Sequence, residues 1–431
     1  MRTRRLTVPD IDLKCIVNRE YLQAGNKAVV YLAMDISPPA APQVPESLKP
    51  VNVCLAIDRS GSMREENKLE NAKTAAIQLI ESLKPTDYAS IVTFSDKEYV
   101  EVTSRPAGDV YGFQNAINNI KAGGLTDIHS ALRASFDETM RQRGSFPEEP
   151  VSRIILLTDG QPTKGKDKVD EFIPLCTDIR RNNVSVTTMG VGSDYNEQLL
   201  STIASTTGGS WYHITDPRNI PTIFSDELVE MKTVVMLKPE LKIQPVSGAE
   251  LNEIYKVRPM LDQIQNPTNI DGKYIIPLGD IVGGQPQNVV ARFHLPPRPE
   301  GKYRIAKAEL RSGKTTITQD VIVNYTNDPT LYDKETNPYP RVLLMTSEGT
   351  MLFRKGVASG DETVISGAQT VIKKTLDDPN AMTVVRTNPL VMDMVTRINK
   401  AYEATVVKKG KLSEEDKKKV LSETTVIKKN K

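Results

Sequence analysis

The sequence predicts an α/β domain with a doubly wound, Rossmann-like sheet, inserted into a β-sandwich and followed by a helical region. Three observations support this fold class. Strand-like and helix-like segments alternate between residues 50 and 232, turn-separated strand-like segments flank that stretch on both sides, and helix-period segments follow. Strands that alternate with helices indicate a parallel sheet covered on both faces. Right-handed crossovers make such a sheet doubly wound.

The alternating stretch opens on residues 51–57, a continuous apolar run that is typical of a strand buried on both faces. Residues 67–84 follow, with apolar side chains at helix period. The same order returns at residues 153–158, in which 154–157 are apolar, and at 169–182, which have helix period. Both pairs are expected to be strand–helix units of one sheet.

The segments on either side predict a single β-sandwich interrupted by the α/β domain. A sandwich of this type needs about seven strands, and the segment after the α/β stretch supplies only about five of them, so the N-terminal strands are expected to complete it. We therefore expect sandwich strands at 1–46, the α/β domain at 47–232, the remaining sandwich at 233–325, a helical region at 326–410 and a flexible charged tail at 411–431.

Composition excludes several classes of protein. The net charge of +2 over 431 residues gives no basis for binding nucleic acid. No apolar stretch approaches the roughly 20 residues that span a bilayer, and the basic N-terminus lacks the apolar core of a secretory signal. The three cysteines, Cys15, Cys54 and Cys176, are far apart and are expected to be free thiols, which favours a cytoplasmic protein.

Polar oxygens follow strands at three places in the α/β stretch. The first apolar run ends in Asp58, followed by Ser60 and Ser62. Thr126 lies in a later glycine-containing loop, and Asp159 ends another apolar run. Because ligands of an open parallel sheet bind beyond the carboxyl ends of its strands, we expect these five side chains to converge. Their flanking residues are expected to support the site or to contact a partner: Arg59, Asp127, His129, Gly160 and Tyr195.

This set contains oxygen ligands alone, which hard cations prefer. We expect one divalent ion, with Mg²⁺ favoured and Mn²⁺ or Ca²⁺ as alternatives. Two carboxylates only neutralise the ion, and three neutral hydroxyls add dipoles. An open coordination position therefore stays electrophilic, and an Asp or Glu of a partner protein would fill it. The sequence thus predicts a binding module rather than an enzyme.

The pattern Asp58-Arg59-Ser60-Gly61-Ser62, with Thr126 and Asp159-Gly160, resembles the metal-ion-dependent adhesion site of von Willebrand factor A (VWA) domains. The resemblance covers roughly residues 50–232 and implies that all five positions ligate one metal. The surrounding β-segments are similar to those of multidomain bacterial and archaeal VWA proteins.

Parts of the sequence are compatible with two other kinds of function. Residues 160–166 match most of a phosphate-binding loop, but Asp167 stands where Ser or Thr should hold magnesium. Asp58 could act as a phosphate-accepting nucleophile, although the sequence suggests no lysine beside it. A metal-dependent phosphatase or nucleotide hydrolase is therefore the alternative in the enzyme class, and a scaffold subunit is the structural alternative.

A weaker motif lies in the predicted tail. Thr424 and Thr425 follow an acidic residue and precede Ile427, a pattern similar to phosphothreonine motifs read by forkhead-associated (FHA) domains. Phosphorylation there would add about two negative charges for an arginine cluster to bind. An ordinary solvated tail is the alternative interpretation.

Overall fold

The computed structural model describes residues 11–40, 49–265, 267–407 and 412–425. The chain divides into two compact units. One comprises Ala41–Lys238 and Gly279–Gly283, and the other comprises Met1–Ala40, Pro239–Leu278 and Gly284–Lys431. None of the helices in the described part of the chain is both long enough and apolar enough to cross a membrane.

The strands, in chain order, are β1 (Asp12–Val17), β2 (Tyr21–Gln23), β3 (Ala28–Ser37), β4 (Val51–Asp58), β5 (Tyr88–Phe94), β6 (Glu98–Pro106), β7 (Val151–Thr158), β8 (Val184–Val191), β9 (Trp211–Ile214), β10 (Val234–Met236), β11 (Glu240–Pro245), β12 (Glu250–Arg258), β13 (Asp262–Gln263), β14 (Thr268–Ile270), β15 (Lys273–Pro277), β16 (Ile281–Val282), β17 (Gln287–Leu295), β18 (Gly301–Ser312) and β19 (Thr315–Thr326). The α-helices are α1 (Lys68–Glu81), α2 (Val110–Asn118), α3 (Ile128–Arg141), α4 (Val169–Arg181), α5 (Glu197–Thr207), α6 (Ile220–Lys232), α7 (Pro329–Tyr332), α8 (Tyr339–Ser359), α9 (Glu362–Leu376), α10 (Pro379–Thr387), α11 (Pro389–Val407) and α12 (Glu414–Thr425).

The α/β unit is built on a six-stranded sheet with the order β6-β5-β4-β7-β8-β9. All neighbours are parallel except the edge strand β6, which runs antiparallel to β5. On one face of β4, Val53 and Leu55 share a core with helices α1 and α6. On the other face, Asn52 donates to the carbonyl of Thr139 in α3 at 2.9 Å. Helices thus cover both faces, which is why β4, β7 and β8 are buried at every residue.

The second unit contains two sheets, with the strand orders β1-β3-β17-β12-β13 and β14-β15-β11-β18-β19-β2. Strand β3 pairs with β17, and β2 pairs with β19. The strands that precede the α/β domain in sequence therefore share sheets with strands that follow it. The predicted insertion of an α/β domain into a β-domain is confirmed by these pairings.

One boundary differs from the prediction. Strand β10, Val234–Met236, was expected to begin the second part of the sandwich. It pairs instead with β16, Ile281–Val282, and both belong to the α/β unit. Apolar alternation identifies both segments as strands, but it does not encode which partner each one takes.

The C-terminal region is helical, as predicted. Val342 and Leu343 of α8 pack with Val391 of α11 against Ala33 and Val290 of the five-stranded sheet. A second apolar cluster joins helices α8, α9, α11 and α12. The helices therefore form part of the same compact unit as the β-sheets.

The predicted flexible tail requires a correction. Residues 414–425 form helix α12, in which Val420 and Leu421 pack with Phe353 of α8. Thr424 and Thr425 are buried, and their hydroxyls donate to the carbonyls of Val420 and Leu421 at 2.8 and 2.6 Å. Val420, Leu421, Thr424 and Thr425 recur at spacings of three to four residues and therefore share one helix face. In the sequence, the lysines and glutamates around them conceal this short stripe. Residues 408–411 and 426–431 lie outside the described residues.

Candidate metal centre

Strand β4 ends at Asp58, whose side chain is fully buried at the carboxyl edge of the parallel sheet. Its Oδ1 accepts the backbone N–H of Ser60 at 2.7 Å, and its Oδ2 accepts the hydroxyl of Thr158 at 2.5 Å. Thr158 is the last residue of β7, the strand beside β4. Because neighbours hold both carboxylate oxygens, the Asp58 side chain is fixed in one orientation.

Three oxygen atoms of the first and third loops lie at similar, short distances. The hydroxyls of Ser60 and Ser62 are 3.1 Å apart, and the Ser62 hydroxyl donates to Oδ1 of Asp159 at 2.7 Å. Neighbouring ligands of an octahedral Mg²⁺, with metal–oxygen bonds of about 2.0–2.1 Å, are roughly 3 Å apart. The three oxygens therefore have the spacing of adjacent ligands of one hard cation, and Ser62 is exposed to solvent.

The second loop is tied to the other two. The backbone N–H of Gly61 donates to the carbonyl of Gly124 at 3.1 Å. Thr126 is buried, and a Cβ built on Gly160 would lie 3.6 Å from its Oγ1. The hydroxyl of Thr126 thus lies beside Gly160 of the third loop. All five predicted ligands therefore lie on three adjoining loops at one sheet edge.

A charged residue that the sequence did not single out lies in the same site. Lys68, the first residue of α1, is buried, and its Nζ donates to Oδ2 of Asp159 at 3.0 Å. The two residues are 91 positions apart, so no local pattern links them. Cations are disfavoured at helix N-termini, so a lysine in the first turn of a helix is a signal in the sequence that the residue has a special role, but a weak one.

The electrostatics of the site suit a cation. Burial raises the pKa of the Asp58 carboxyl to about 7, the hydrogen bonds from Thr158 and Ser60 oppose this rise, and the charge of Asp159 adds to it. When both carboxyls are ionised, two negative charges face one ammonium group, so negative charge is in excess. Oxygen ligands with an excess negative charge fit a hard divalent ion such as Mg²⁺.

Metal ligands of other kinds do not assemble in the described part of the chain. Within residues 11–40, 49–265, 267–407 and 412–425, no three His, Cys, Asp or Glu side chains cluster in a way that could hold a metal. The three cysteines are free thiols. The candidate centre therefore rests on hydroxyls and two carboxylates.

The flanking residues have separate structural contacts. The guanidinium of Arg59 lies 4.2 Å from the ring centre of Tyr99 and 3.8 Å from a carboxylate oxygen of Glu101, so it is held against the edge strand β6. Gly160 donates its N–H to the Thr158 hydroxyl at 3.3 Å. Both residues adjoin the site and support its loops.

Asp127 and His129 lie at the start of α3. Asp127 caps the helix by accepting the backbone N–H of Ser130 at 3.1 Å, and it accepts that residue's hydroxyl at 2.9 Å. The ring of His129 contacts Phe172 edge-on, with centres 5.1 Å apart. Burial lowers the pKa of His129, and the positive charge of Lys166 adds to this effect. These contacts indicate supporting roles for both residues.

Of the two roles expected for Tyr195, support of the site or contact with a partner, its burial contradicts the second. Its ring is fully buried against Gly190, and its hydroxyl lies 2.8 Å from Nδ1 of His213. A large aromatic side chain in a loop next to a strand can fill the space over a glycine, and its apolar area then favours the core. Tyr195 therefore does not face a partner.

The segment that resembled a phosphate-binding loop is used differently. The backbone N–H groups of Thr163 and Lys164 donate to the carbonyl of Thr126 at 3.0 and 3.2 Å. The Thr163 hydroxyl in turn accepts the N–H of Thr126 at 2.9 Å. Two of the N–H groups that would cradle a phosphate are thus engaged, which is evidence against a nucleotide site here.

The mostly parallel sheet with helices on both faces defines a Rossmann-like α/β domain, and the oxygen-rich loops lie at its carboxyl edge. Residues 52–226 match the family model of the von Willebrand factor type A domain. This chain therefore contains a VWA domain, which confirms the family predicted from the loop motifs.

Similarity extends beyond that domain. The chain is 26% identical to protein sll0103 of Synechocystis sp. over 96% of this chain and 97% of the relative. A von Willebrand factor type A protein from Catenulispora acidiphila has a similar structure, with a TM-score of 0.76 and 16% identity over 99% of this chain and 98% of the other. The ArnB paralog VWA2 from Sulfolobus acidocaldarius follows at 0.61 and 21%, covering 96% and 97%. The whole architecture is thus shared with bacterial and archaeal VWA proteins.

Proposed function

We propose that this protein recognises a partner protein through one divalent cation held by Asp58, Ser60, Ser62, Thr126 and Asp159. The observation that carries this proposal is the spacing of the Ser60, Ser62 and Asp159 oxygens, which matches adjacent ligands of a single ion. VWA domains are generally metal-dependent interaction modules, and this chain contains one. Mg²⁺ is the ion that this oxygen set favours, with Mn²⁺ or Ca²⁺ as alternatives.

The residues of the chain hold the ion and leave room for an outside ligand. Asp58 is fixed by Thr158 and Ser60, while Ser62 lies at the solvent-facing side. A bound cation supplies a Lewis-acidic position that an anionic oxygen can fill. A carboxylate of an Asp or Glu on the partner is the ligand that this position would accept, and surrounding loop contacts would add specificity.

A capture experiment with native lysate tests the proposal. The wild-type protein should retain its partner with Mg²⁺ present and release it with a chelator, and Asp58→Ala should bind neither metal nor partner. Asp167→Ala is a matched control, because it removes an exposed carboxylate from the third loop. Equal capture with and without chelator would remove the metal from the mechanism.

Two features of the site bear on the alternative that this protein is an enzyme with Asp58 as its nucleophile. Lys68 lies in the same site, but its Nζ pairs with Asp159 rather than with the candidate nucleophile Asp58. The Asp58 side chain is also fully buried, so the phosphorus of a substrate cannot reach its carboxylate. We expect no turnover of nucleotides or aryl phosphates, and steady phosphate release that Asp58→Ala abolishes would overturn the non-enzymatic interpretation.

An adaptor or assembly role inside the cell is the setting we propose, since the chain has three unpaired thiols. Recognition of Thr424 or Thr425 by an FHA-domain partner would require helix α12 to detach, because both hydroxyls are buried. A kinase should therefore modify these threonines poorly in the intact protein and readily in a peptide of residues 412–431. A scaffold role would be favoured instead if the captured partner were a second copy of this chain.

A further inference from the structure

Lys68 occupies a position that is unfavourable for a lysine on two grounds. It begins helix α1, where the helix dipole disfavours a cation, and its side chain is only 11% exposed. Lysine is almost never fully buried without a charged partner. The partner here is Asp159, whose carboxylate is fully buried and 3.0 Å away.

The pairing divides the two oxygens of Asp159 between different tasks. Oδ2 accepts from Lys68 at 3.0 Å, whereas Oδ1 accepts from the Ser62 hydroxyl at 2.7 Å. Lys68 thus engages the oxygen that faces away from the serine hydroxyls, and the oxygen that lies among them stays available for a cation. Its ammonium is bonded to the oxygen of Asp159 that does not accept from Ser62, so its charge lies within the site.

We infer that Lys68 is a positioning residue that makes the metal-loaded site cationic, so that the site selects an anionic ligand. The inference rests on the proposed function. With Lys68 present, the two carboxylates leave one net negative charge, and a divalent ion turns this into one net positive charge. Without Lys68, the same ion would only neutralise the site. Lys68 therefore weakens metal binding and strengthens binding of a carboxylate to the bound metal.

This role differs from that of a purely structural counter-ion in the sign of its effects. If Lys68 only held the loop in place, its removal would disorder the loop and lower both affinities together. A fixed charge a few ångströms from the ion acts in opposite directions on a cation and on an anion. Opposite changes in the two affinities are therefore the signature of the proposed role.

The test uses Mn²⁺ as the metal probe and acetate as the carboxylate probe on the full chain. Free Mn²⁺ is measured by electron paramagnetic resonance, and acetate binding to the loaded protein is followed by the loss of water-proton relaxation. Lys68→Gln keeps a hydrogen-bond donor without the charge, and Lys68→Met removes both. Lys68→Arg keeps the charge, and Lys73→Met removes a lysine of the same helix that pairs with Glu70.

We expect Lys68→Gln and Lys68→Met to bind Mn²⁺ roughly tenfold or more tightly than wild type, because one nearby charge changes ionic equilibria by about that much. Their loaded forms should bind acetate more weakly by a similar factor. Lys68→Arg and Lys73→Met should match wild type in both measurements. The rise in Tm that Mn²⁺ produces should also be larger for the two neutral variants.

Equal or weaker Mn²⁺ affinity in folded Lys68→Gln would overturn the inference while leaving the proposed function in place. Failure of both neutral variants to fold would identify Lys68 as a structural counter-ion, which also overturns it. If wild type itself binds no Mn²⁺, or binds it but takes no acetate, the proposed function fails as well.

Discussion

Strand β7 has a buried charged cluster near each of its ends, and the two clusters differ in what they leave unsatisfied. Near its start, Arg153 pairs with Glu227 at 2.8 Å and with Asp280 at 3.4 Å. Beyond its end, Asp159 pairs with Lys68 at 3.0 Å. Both clusters lie within the α/β unit.

The cluster around Arg153 is closed. The Glu227 carboxylate accepts from Arg153, from the Thr187 hydroxyl at 2.7 Å and from the Tyr212 hydroxyl at 2.5 Å. The side chains of Arg153, Glu227 and Asp280 are at most 4% exposed. A charged group that is fully hydrogen-bonded in the interior has a structural role. Its removal leaves the partner charges buried without a counter-ion.

The cluster around Asp159 is open. Its hydroxyl oxygens extend to Ser62 at the protein surface, and its carboxylates outnumber its ammonium group. The comparison teaches that burial of charge alone does not mark a functional site. Carboxylates outnumber the paired cation in both clusters, so the difference is that only the cluster around Asp159 has ligand atoms that reach solvent.

Arg153→Met tests the closed cluster and should have the largest effect on stability. The free energy of unfolding should fall by about 3–5 kcal/mol, because Glu227 and Asp280 stay buried without their cation. Mn²⁺ affinity should be unchanged. Urea unfolding with and without metal measures both, and Arg143→Met, which removes an exposed ion pair with Glu149, should change little. A loss of metal affinity in Arg153→Met would show that the two clusters are coupled.

Asp58→Asn tests the open cluster through pH. The folded pKa of Asp58 is raised to about 7, so its stabilising contribution is complete below the ordinary value of 3.8 and is lost as pH rises through about 7. In chelator, wild type should lose a few kcal/mol relative to Asp58→Asn over that window, at about 1.4 kcal/mol per pKa unit. Unfolding at pH 4, 6 and 8 checks this. The prediction is wrong if the free energies of unfolding of the two proteins change with pH in the same way. Mg²⁺ should restore the lost stability of wild type and should not stabilise Asp58→Asn.

Tyr212→Phe removes one donor from the closed cluster. The Glu227 oxygen then loses a short hydrogen bond in the interior, and the free energy of unfolding should fall by about 2 kcal/mol. Thermal unfolding is a sufficient measurement. Tyr111→Phe is the control, since Tyr111 is 79% exposed. An unchanged free energy of unfolding in Tyr212→Phe would mean that the Glu227 carboxylate does not depend on this hydrogen bond.

Ser62→Ala should have the smallest effect on stability and a clear effect on metal binding. Ser62 is exposed, so the free energy of unfolding should change by less than about 0.5 kcal/mol. Loss of one oxygen ligand should weaken Mn²⁺ binding roughly tenfold. Ser62→Thr keeps the hydroxyl and should retain most of the affinity. Unchanged affinity in Ser62→Ala would exclude this hydroxyl from the ligand set.

Much of this molecule was predictable from local pattern. Continuous apolar runs at 51–57 and 154–157 identified central parallel strands, and strand ends identified Asp58 and Asp159 as neighbours across a sheet edge. Such predictions succeed because one periodicity sets both the secondary structure and the edge at which the loops lie.

The burial of two side chains could not be predicted from the local sequence pattern. The pattern allows Tyr195 to contact a partner, but its ring is in the core. It predicts a flexible tail around Thr424, but this residue is packed in helix α12. In both places the short-range pattern is compatible with exposure. Burial was decided by whether a complementary surface, the Gly190 backbone or the α8 side chains, happened to be near.

The sequence by itself determined the α/β alternation, the interrupted β-domain and the oxygen-rich loops, because each follows from spacing along the chain. Only the tertiary structure decided that Lys68 meets Asp159, 91 residues away, and that Arg153 meets Asp280, 127 residues away. Ion pairs of this kind depend on the direction of side chains from elements far apart in sequence. Whether a buried charge is closed or open is therefore settled only when the elements pack.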